Sequence, residues 1–211
     1  MLHAGIIHLA FNAYFQWTVG AYLEAMWGYR IWFVIYLIGG IFGNLCSACA
    51  MPDVISVGAS GAIMGLIGAW LVELLCHWSD DRPSAVLSIT NSKLARKQRI
   101  KNLVVIVVNL GITFALSVVP MVDWAAHLGG WLGGTLVAMC IFAGDIKTKC
   151  CKHFTRMLSI ALGVCVLLVL IVYFVVEIEP NRNLLEINGG NGGDGGDVDD
   201  DVEDGGMGRR M

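Results

Sequence analysis

Long apolar runs dominate this sequence, and short polar segments separate them. A helix that crosses a bilayer needs about 20 predominantly apolar residues, and six stretches meet that requirement. We therefore predict an all-α fold, a polytopic transmembrane helical bundle with about six spans in the lipid bilayer. The predicted spans cover about 4–22, 31–50, 54–75, 102–119, 124–144 and 157–176.

The composition agrees with a membrane-embedded body. Of the 211 residues, 56% are hydrophobic and 15% are charged, whereas a soluble domain carries about 25% charged residues. Seven of the 17 acidic residues lie between Asp194 and Asp204, so the rest of the chain is more apolar still. The segment 177–211 is rich in Gly and Asp and has almost nothing to bury, which predicts a disordered acidic tail.

Lys and Arg are distributed unevenly among the segments between the spans. Segments 23–30, 76–101 and 145–156 hold 11 of the 14 basic residues, whereas 51–53 and 120–123 hold none. Because basic residues stay on the cytoplasmic side, the first group is predicted inside and the second outside. The first, third and fifth spans then run from outside to inside, and 145–156 is predicted to be a basic cytosolic loop.

Four polar side chains fall at similar depths in these three spans. His8 and Asn12 are four residues apart in the first span and share one helix face. Ser60 lies near the start of the third span, and His127 lies near the start of the fifth. At ~1.5 Å of rise per residue, all four lie roughly one to three turns below the outer surface. Polar residues are costly in a bilayer, so they tend to mark function or interhelical contacts.

Glycines accompany the serine and the histidine at helical spacing. Gly61 and Gly65 follow Ser60, while Gly130 and Gly134 follow His127. Stripes of small residues let membrane helices approach closely, so the two helices are predicted to touch. Gly58 permits a tight entry into the third helix, which leaves Ser60 near a helix N-terminus.

This set of residues predicts acyl-transfer chemistry. A serine hydroxyl becomes a nucleophile when a base accepts its proton, and His127 is the candidate base for Ser60. Asp123 and Glu73 lie at opposite membrane edges, which suggests a dyad without a third carboxylate member. The developing oxyanion needs fixed donors, and His8, Asn12 and the Ser60 backbone N–H are available.

Each motif alone has a structural alternative. A Gly-x-Ser-Gly segment in a glycine-rich membrane helix is typical of helix packing, and a lone intramembrane histidine often hydrogen-bonds a neighbouring helix. The combination at one depth favours catalysis. The seven cysteines lack zinc-ligand spacing, so we predict no metal site. We also predict no cofactor and no nucleic-acid partner.

Together these residues resemble the signature helices of the rhomboid family of intramembrane serine proteases. The resemblance covers residues 1–144 and implies a catalytic core made of the second to sixth family helices, with Ser60 as nucleophile, His127 as base, and His8 and Asn12 at the oxyanion. His3 resembles a polar position near the entry of water, and an interfacial structural histidine is an equal alternative. The matching motifs are His3-x4-His8-x3-Asn12, Gly58-x-Ser60-Gly61 and Ala126-His127-x2-Gly130-x3-Gly134.

The chain departs from the family pattern at both ends. The first family helix is absent, so we expect this chain to begin within a longer protein. The span 157–176 is an additional C-terminal transmembrane helix, which in the family is typical of secretory-pathway or plasma-membrane members rather than mitochondrial inner-membrane ones. The resemblance implies a hydrolase that cleaves single-span transmembrane protein substrates. The alternative is a catalytically silent relative that binds or escorts transmembrane clients.

Overall fold

The computed structural model of the protein describes residues 6–53, 57–78, 92–116, 122–145 and 149–178, and all regular secondary structure in these ranges is helical. The predicted all-α bundle is confirmed. The α-helices are α1 Ile6–Phe15, α2 Ala21–Trp27, α3 Tyr29–Ala50, α4 Ser60–Cys76, α5 Ser92–Leu116, α6 Trp124–Phe142 and α7 Lys149–Tyr173.

Four helical segments in the described ranges are long and apolar enough to cross a membrane. They are Tyr29–Ala50, Arg96–Ala115, Trp124–Phe142 and Cys151–Ile178. The chain is therefore an integral membrane protein, although six spans were predicted. The two remaining windows form helices that are shorter or interrupted.

The first predicted span is interrupted by a π-helical turn, Gln16–Gly20, which joins α1 to α2. Such turns insert an extra residue into a helix and rotate the side chains that follow. Within this turn the Gln16 side chain donates a hydrogen bond to the Tyr36 hydroxyl on α3. Gly28 then separates α2 from α3 with φ of 81°, a conformation that favours glycine.

The third predicted span is the central helix of the bundle and begins later than predicted. Helix α4 has 17 residues, so it is about 26 Å long and shorter than the hydrocarbon core of a bilayer. Its start is set by Gly58, whose φ of 108° turns the chain immediately before Ser60. Every residue from Ala62 to Trp70 is buried, because other helices surround α4.

Helix α7, in contrast, begins earlier than predicted, at Lys149, so most of the predicted loop 145–156 is helical. Two side chains hold this start against the end of α6. Lys152 Nζ donates to the Gly144 carbonyl at 2.8 Å, and Arg156 Nε donates to the Cys140 carbonyl at 3.1 Å.

The other end of α7 continues as a π-helical turn, Phe174–Ile178, so residues 177 and 178 of the predicted tail are helical. The remainder of that tail, 179–211, lies outside the described residues.

Candidate active site

Ser60 is the first residue of α4 and is half-buried. The first intrahelical bond at this end joins the Ile63 N–H to the Ala59 carbonyl at 3.0 Å. The N–H groups that precede it have no acceptor one turn earlier in the helix, as at any helix start. Ser60 therefore presents its hydroxyl and its backbone N–H at a helix N-terminus, where negative charge is favoured.

His127 lies in the first turn of α6 and is buried, with 6% of its surface exposed. The helix begins after Asp123, whose Oδ1 accepts a hydrogen bond from the Ala126 N–H at 2.8 Å. The His127 N–H donates to the Asp123 backbone carbonyl at 3.3 Å, so Asp123 begins the helical turn that carries His127. The sequence predicts Asp123 at the membrane edge and outside the site, whereas the structure places it at the start of the helix turn that carries His127.

Glycines bring α4 and α6 into backbone contact. A methyl group added at Gly130 would collide with the Gly61 carbonyl, and one added at Gly134 would collide with the Gly65 carbonyl. These spaces do not accommodate any side chain. The predicted close approach of the two helices through their glycine stripes is confirmed.

Helix α3 also takes part in this contact, an arrangement that was not predicted from the sequence. The Ala126 carbonyl, next to His127, lies 2.8 Å from a Cβ built on Gly43 of α3 and 3.1 Å from one built on Gly61. Ala126, which precedes His127, is thus packed between Gly43 of α3 and Gly61, which follows Ser60. The spacing Gly39-x3-Gly43 could have predicted that α3 takes part, because it is the same small-residue pattern that α4 and α6 contain.

His8 and Asn12 meet on one face of α1 at the entry to α4. Asn12 Nδ2 lies 3.2 Å from His8 Nε2. A Cβ built on Gly58 would lie 2.9 Å from Asn12 Nδ2 and 2.9 Å from His8 Cε1. The two side chains therefore pack directly on the turn that leads into Ser60, and this contact requires glycine at position 58.

The structure thus brings together the turn before Ser60, the first turn of α6, and the polar face of α1. His3, the remaining predicted site residue, lies outside the described residues. No group of three or more His, Cys, Asp or Glu side chains suited to a metal ion occurs within the described ranges.

Comparisons with known proteins match the part of the chain that carries this site. The Rhomboid domain family model matches residues 1–144. RHOMBOID-like protein 7 of Arabidopsis thaliana is 38% identical over 142 residues, which cover 66% of this chain and 40% of the relative. RHOMBOID-like protein 6, mitochondrial, of the same plant is 42% identical over 133 residues, covering 63% and 38%.

A bacterial relative is similar over the same region. Rhomboid protease GluP of Bacillus subtilis is 37% identical over 142 residues, which cover 67% of this chain and 24% of the relative. The match thus spans less than half the length of each of these three relatives. With the domain match across most of the chain and glycine-packed helices around a serine and a histidine, this chain belongs to the rhomboid family.

Proposed function

We propose that this chain is an intramembrane serine endopeptidase that cleaves single-span transmembrane proteins with Ser60 and His127. The observation that carries the proposal is the contact between α4 and α6. Ala126 lies against Gly61, so the neighbours of the two proposed catalytic residues meet at one point. Positioning of this kind can supply a large part of a barrier reduction, because it replaces an encounter with a fixed geometry.

In the proposed reaction His127 accepts the proton of the Ser60 hydroxyl as Ser60 Oγ attacks the carbonyl carbon of the scissile bond. The C–N bond then breaks, and His127 returns the proton to the leaving amine. Water, deprotonated by His127, hydrolyses the resulting ester and restores Ser60. Burial of His127 and Asn12 lowers the local dielectric constant, which strengthens electrostatic stabilisation of the transition state.

For the oxyanion we propose Asn12 and the Ser60 N–H as donors, with His8 orienting Asn12. An amide nitrogen only donates, so His8 Nε2 accepts from Asn12 Nδ2 in the observed pair. The second hydrogen of that amide remains for the substrate oxygen. Asn12→Ala should therefore slow the reaction roughly 100- to 1,000-fold, and His8→Ala should lose less, because it removes only the orienting group.

The test compares cleavage of a single-span substrate in liposomes by the full chain and by Ser60→Ala and His127→Ala. Each variant should lose activity, and the double variant should be no worse, because nucleophile and base act as a unit. A fluorophosphonate probe should label Ser60 in the wild type and fail in both variants.

Two further variants serve as matched controls outside the site. Ser159→Ala removes a buried serine of α7 that donates to the Arg156 carbonyl, and His77→Ala removes a histidine paired with Glu73 at the far end of α4. Both should cleave at the wild-type rate. Full cleavage by Ser60→Ala would contradict the proposal. If the wild-type protein binds transmembrane helices of other proteins but neither cleaves them nor reacts with the fluorophosphonate probe, it is instead a silent rhomboid-like binder.

We also propose that the protein resides in the secretory pathway or plasma membrane. The support is the position of α7, a spanning helix that follows the matched domain. One relative carries a mitochondrial name, so the mitochondrial inner membrane is the alternative. Fractionation of cells that express the full-length protein would distinguish the two.

A further inference from the structure

The Asp123 carboxylate connects two helices at the end of the bundle that holds the candidate site. Its Oδ1 accepts from the Ala126 N–H at 2.8 Å, and its Oδ2 accepts from the Ser47 hydroxyl of α3 at 2.5 Å. The first bond caps α6, since an N-cap aspartate satisfies an N–H in the first turn. The second bond joins that cap to a neighbouring helix.

Ser47 is buried, with 2% of its surface exposed, so its hydroxyl requires a partner inside the protein. It lies one turn after Gly43, and residues four apart share a helix face. That face of α3 therefore contacts the start of α6 twice. Gly43 packs against the Ala126 carbonyl, and the Ser47 hydroxyl donates a hydrogen bond to Asp123.

His127 is fixed by the same turn of helix. Its N–H donates to the Asp123 backbone carbonyl at 3.3 Å, and its neighbour Ala126 carries both the capped N–H and the wedged carbonyl. Any rotation or shift of the first turn of α6 would move the imidazole relative to Ser60. The Asp123 charge also suits this position, because a helix N-terminus carries partial positive charge.

We infer that Asp123 and Ser47 are positioning residues that hold the His127 helix turn in register with Ser60. The inference rests on the proposed function, in which His127 is the base. Neither residue touches the substrate in this role. They act through the backbone of the first turn of α6. The two hydrogen bonds matter more for this role than the negative charge of the Asp123 carboxylate.

The variants follow from the two bonds. Asp123→Ala removes both, and Ser47→Ala removes the bond between helices. Asp123→Asn keeps an oxygen for the Ala126 N–H and turns an amide N–H toward the Ser47 oxygen, so both bonds can form again. Thr135→Ala is the matched control, because the Thr135 hydroxyl donates within α6 to the Trp131 carbonyl at 2.7 Å.

The experiment follows the covalent reaction of a fluorophosphonate probe with the full-length protein in detergent. It separates the first-order rate constant of labelling from the final labelled fraction. Misplacement by ~1 Å can cost ~100-fold in rate, so Asp123→Ala should lower the rate constant roughly 10- to 100-fold, and Ser47→Ala should lower it by a smaller factor. Asp123→Asn should recover most of the loss, and Thr135→Ala should match the wild type.

The double variant and the final labelled fraction distinguish positioning from simple destabilisation. Residues in one network show non-additive losses, so Ser47→Ala combined with Asp123→Ala should react no more slowly than Asp123→Ala. The labelled fraction should stay complete, whereas a variant that merely unfolds would lose this fraction. Unchanged rate constants in both single variants would overturn the inference, as would fully additive losses.

Hydrogen exchange of the amides in 124–128 tests the same connection without any reaction. Both single variants should exchange these amides at least about 10-fold faster than the wild type, while Thr135→Ala should not, because only the former release the capped turn. Unchanged exchange would overturn the inference. If exchange rises but the wild type never reacts with the probe, the proposed protease function fails and the positioning role of the pair stands.

Discussion

The glycines of α4 and α6 have surroundings very different from those of α5 and α7. A methyl group at Gly130 or Gly134 would overlap the backbone of α4, whereas one at Gly111 of α5 or Gly163 of α7 would meet no atom of the described residues within 4 Å. In lipid no hydrophobic force draws helices together, so association depends on close packing and interhelical hydrogen bonds. The glycine contacts therefore mark the helices whose separation is fixed.

Helix α5 packs against the bundle less closely than α4 and α6 pack against each other. Apolar side chains are exposed along α5; Val104 and Val107, for example, are 55% and 57% exposed. Its first turns are tied instead by polar groups, since Arg99 donates to the Trp78 carbonyl and Asn102 donates to the Tyr22 hydroxyl. The comparison indicates that the residues proposed for chemistry lie where helix backbones touch, whereas α5 has no such backbone contact at Gly111 within the described residues.

The largest effect is expected for Gly130→Val, with Gly111→Val as the matched control. The valine side chain at 130 would push α6 away from Gly61, and therefore move His127 away from Ser60. The rate of probe labelling should fall at least ~100-fold. Gly130→Ala should also be impaired, because the Cβ atom alone overlaps the Gly61 carbonyl. Gly111→Val should react normally, and equal rates for the two valine variants would show that the contact has no role in activity.

A strong but smaller effect is expected for Gly58→Ala, paired with Gly28→Ala. Both glycines have positive φ, 108° and 81°, so alanine at either should cost about 1–3 kcal/mol of stability. At Gly58 the new Cβ would displace Asn12 and His8, whereas at Gly28 it would meet none of the residues that the structure describes within 4 Å. Thermal unfolding should shift similarly in both variants. The labelling rate should fall roughly 100-fold in Gly58→Ala and stay unchanged in Gly28→Ala. Equal labelling rates in the two variants would contradict the proposed oxyanion role of Asn12 and His8.

The sequence was sufficient for those features that depend on residue type and spacing. The all-helical fold follows from apolar length, although the bounds of several helices do not, and the contact between α4 and α6 follows from the spacing of Gly61, Gly65, Gly130 and Gly134. The common depth of His8, Asn12, Ser60 and His127, inferred from the alternation of basic loops, stays a prediction, and so does their catalytic role.

Other features depend on partners distant in sequence and had no local signal. Ser47 and Asp123 are 76 residues apart, and nothing near Ser47 distinguishes it from a packing serine. The π-helical turn at Gln16–Gly20 faces Tyr36 on another helix. Helix α5 begins at Ser92 and α7 at Lys149, both within segments predicted as basic loops; Arg99 and Arg156 in these segments bond to the Trp78 and Cys140 carbonyls, partners that lie far away in sequence.

A modest effect is expected for Asn102→Ala, with Asn109→Ala as its control. Asn102 accepts from Gln98 at 2.9 Å and donates to Tyr22 of α2 at 3.4 Å, so it joins α5 to the bundle. Its loss should lower the free energy of unfolding by about 0.5–1.5 kcal/mol. Asn109 donates within α5 to the Val105 carbonyl, and its replacement should cost less. Labelling of Ser60 should stay within about two-fold of the wild type in both, and a large rate loss in Asn102→Ala would mean that α5 also fixes the site.

The smallest effect is expected for Gly111→Ala, and its sign is opposite. Alanine is favoured over glycine in a helix interior by about 0.8–1.0 kcal/mol, because glycine loses more backbone entropy on ordering. Nothing in the described structure lies within 4 Å of the added methyl group, so no packing cost opposes the gain. The midpoint of thermal unfolding in detergent should rise slightly, with the labelling rate unchanged. Gly134→Ala, the same substitution against the Gly65 carbonyl, should lower both. If Gly111→Ala destabilised the protein as much as Gly134→Ala, α5 would have a close neighbour at this depth, and the distinction between a backbone-packed centre and an adaptable periphery would fail.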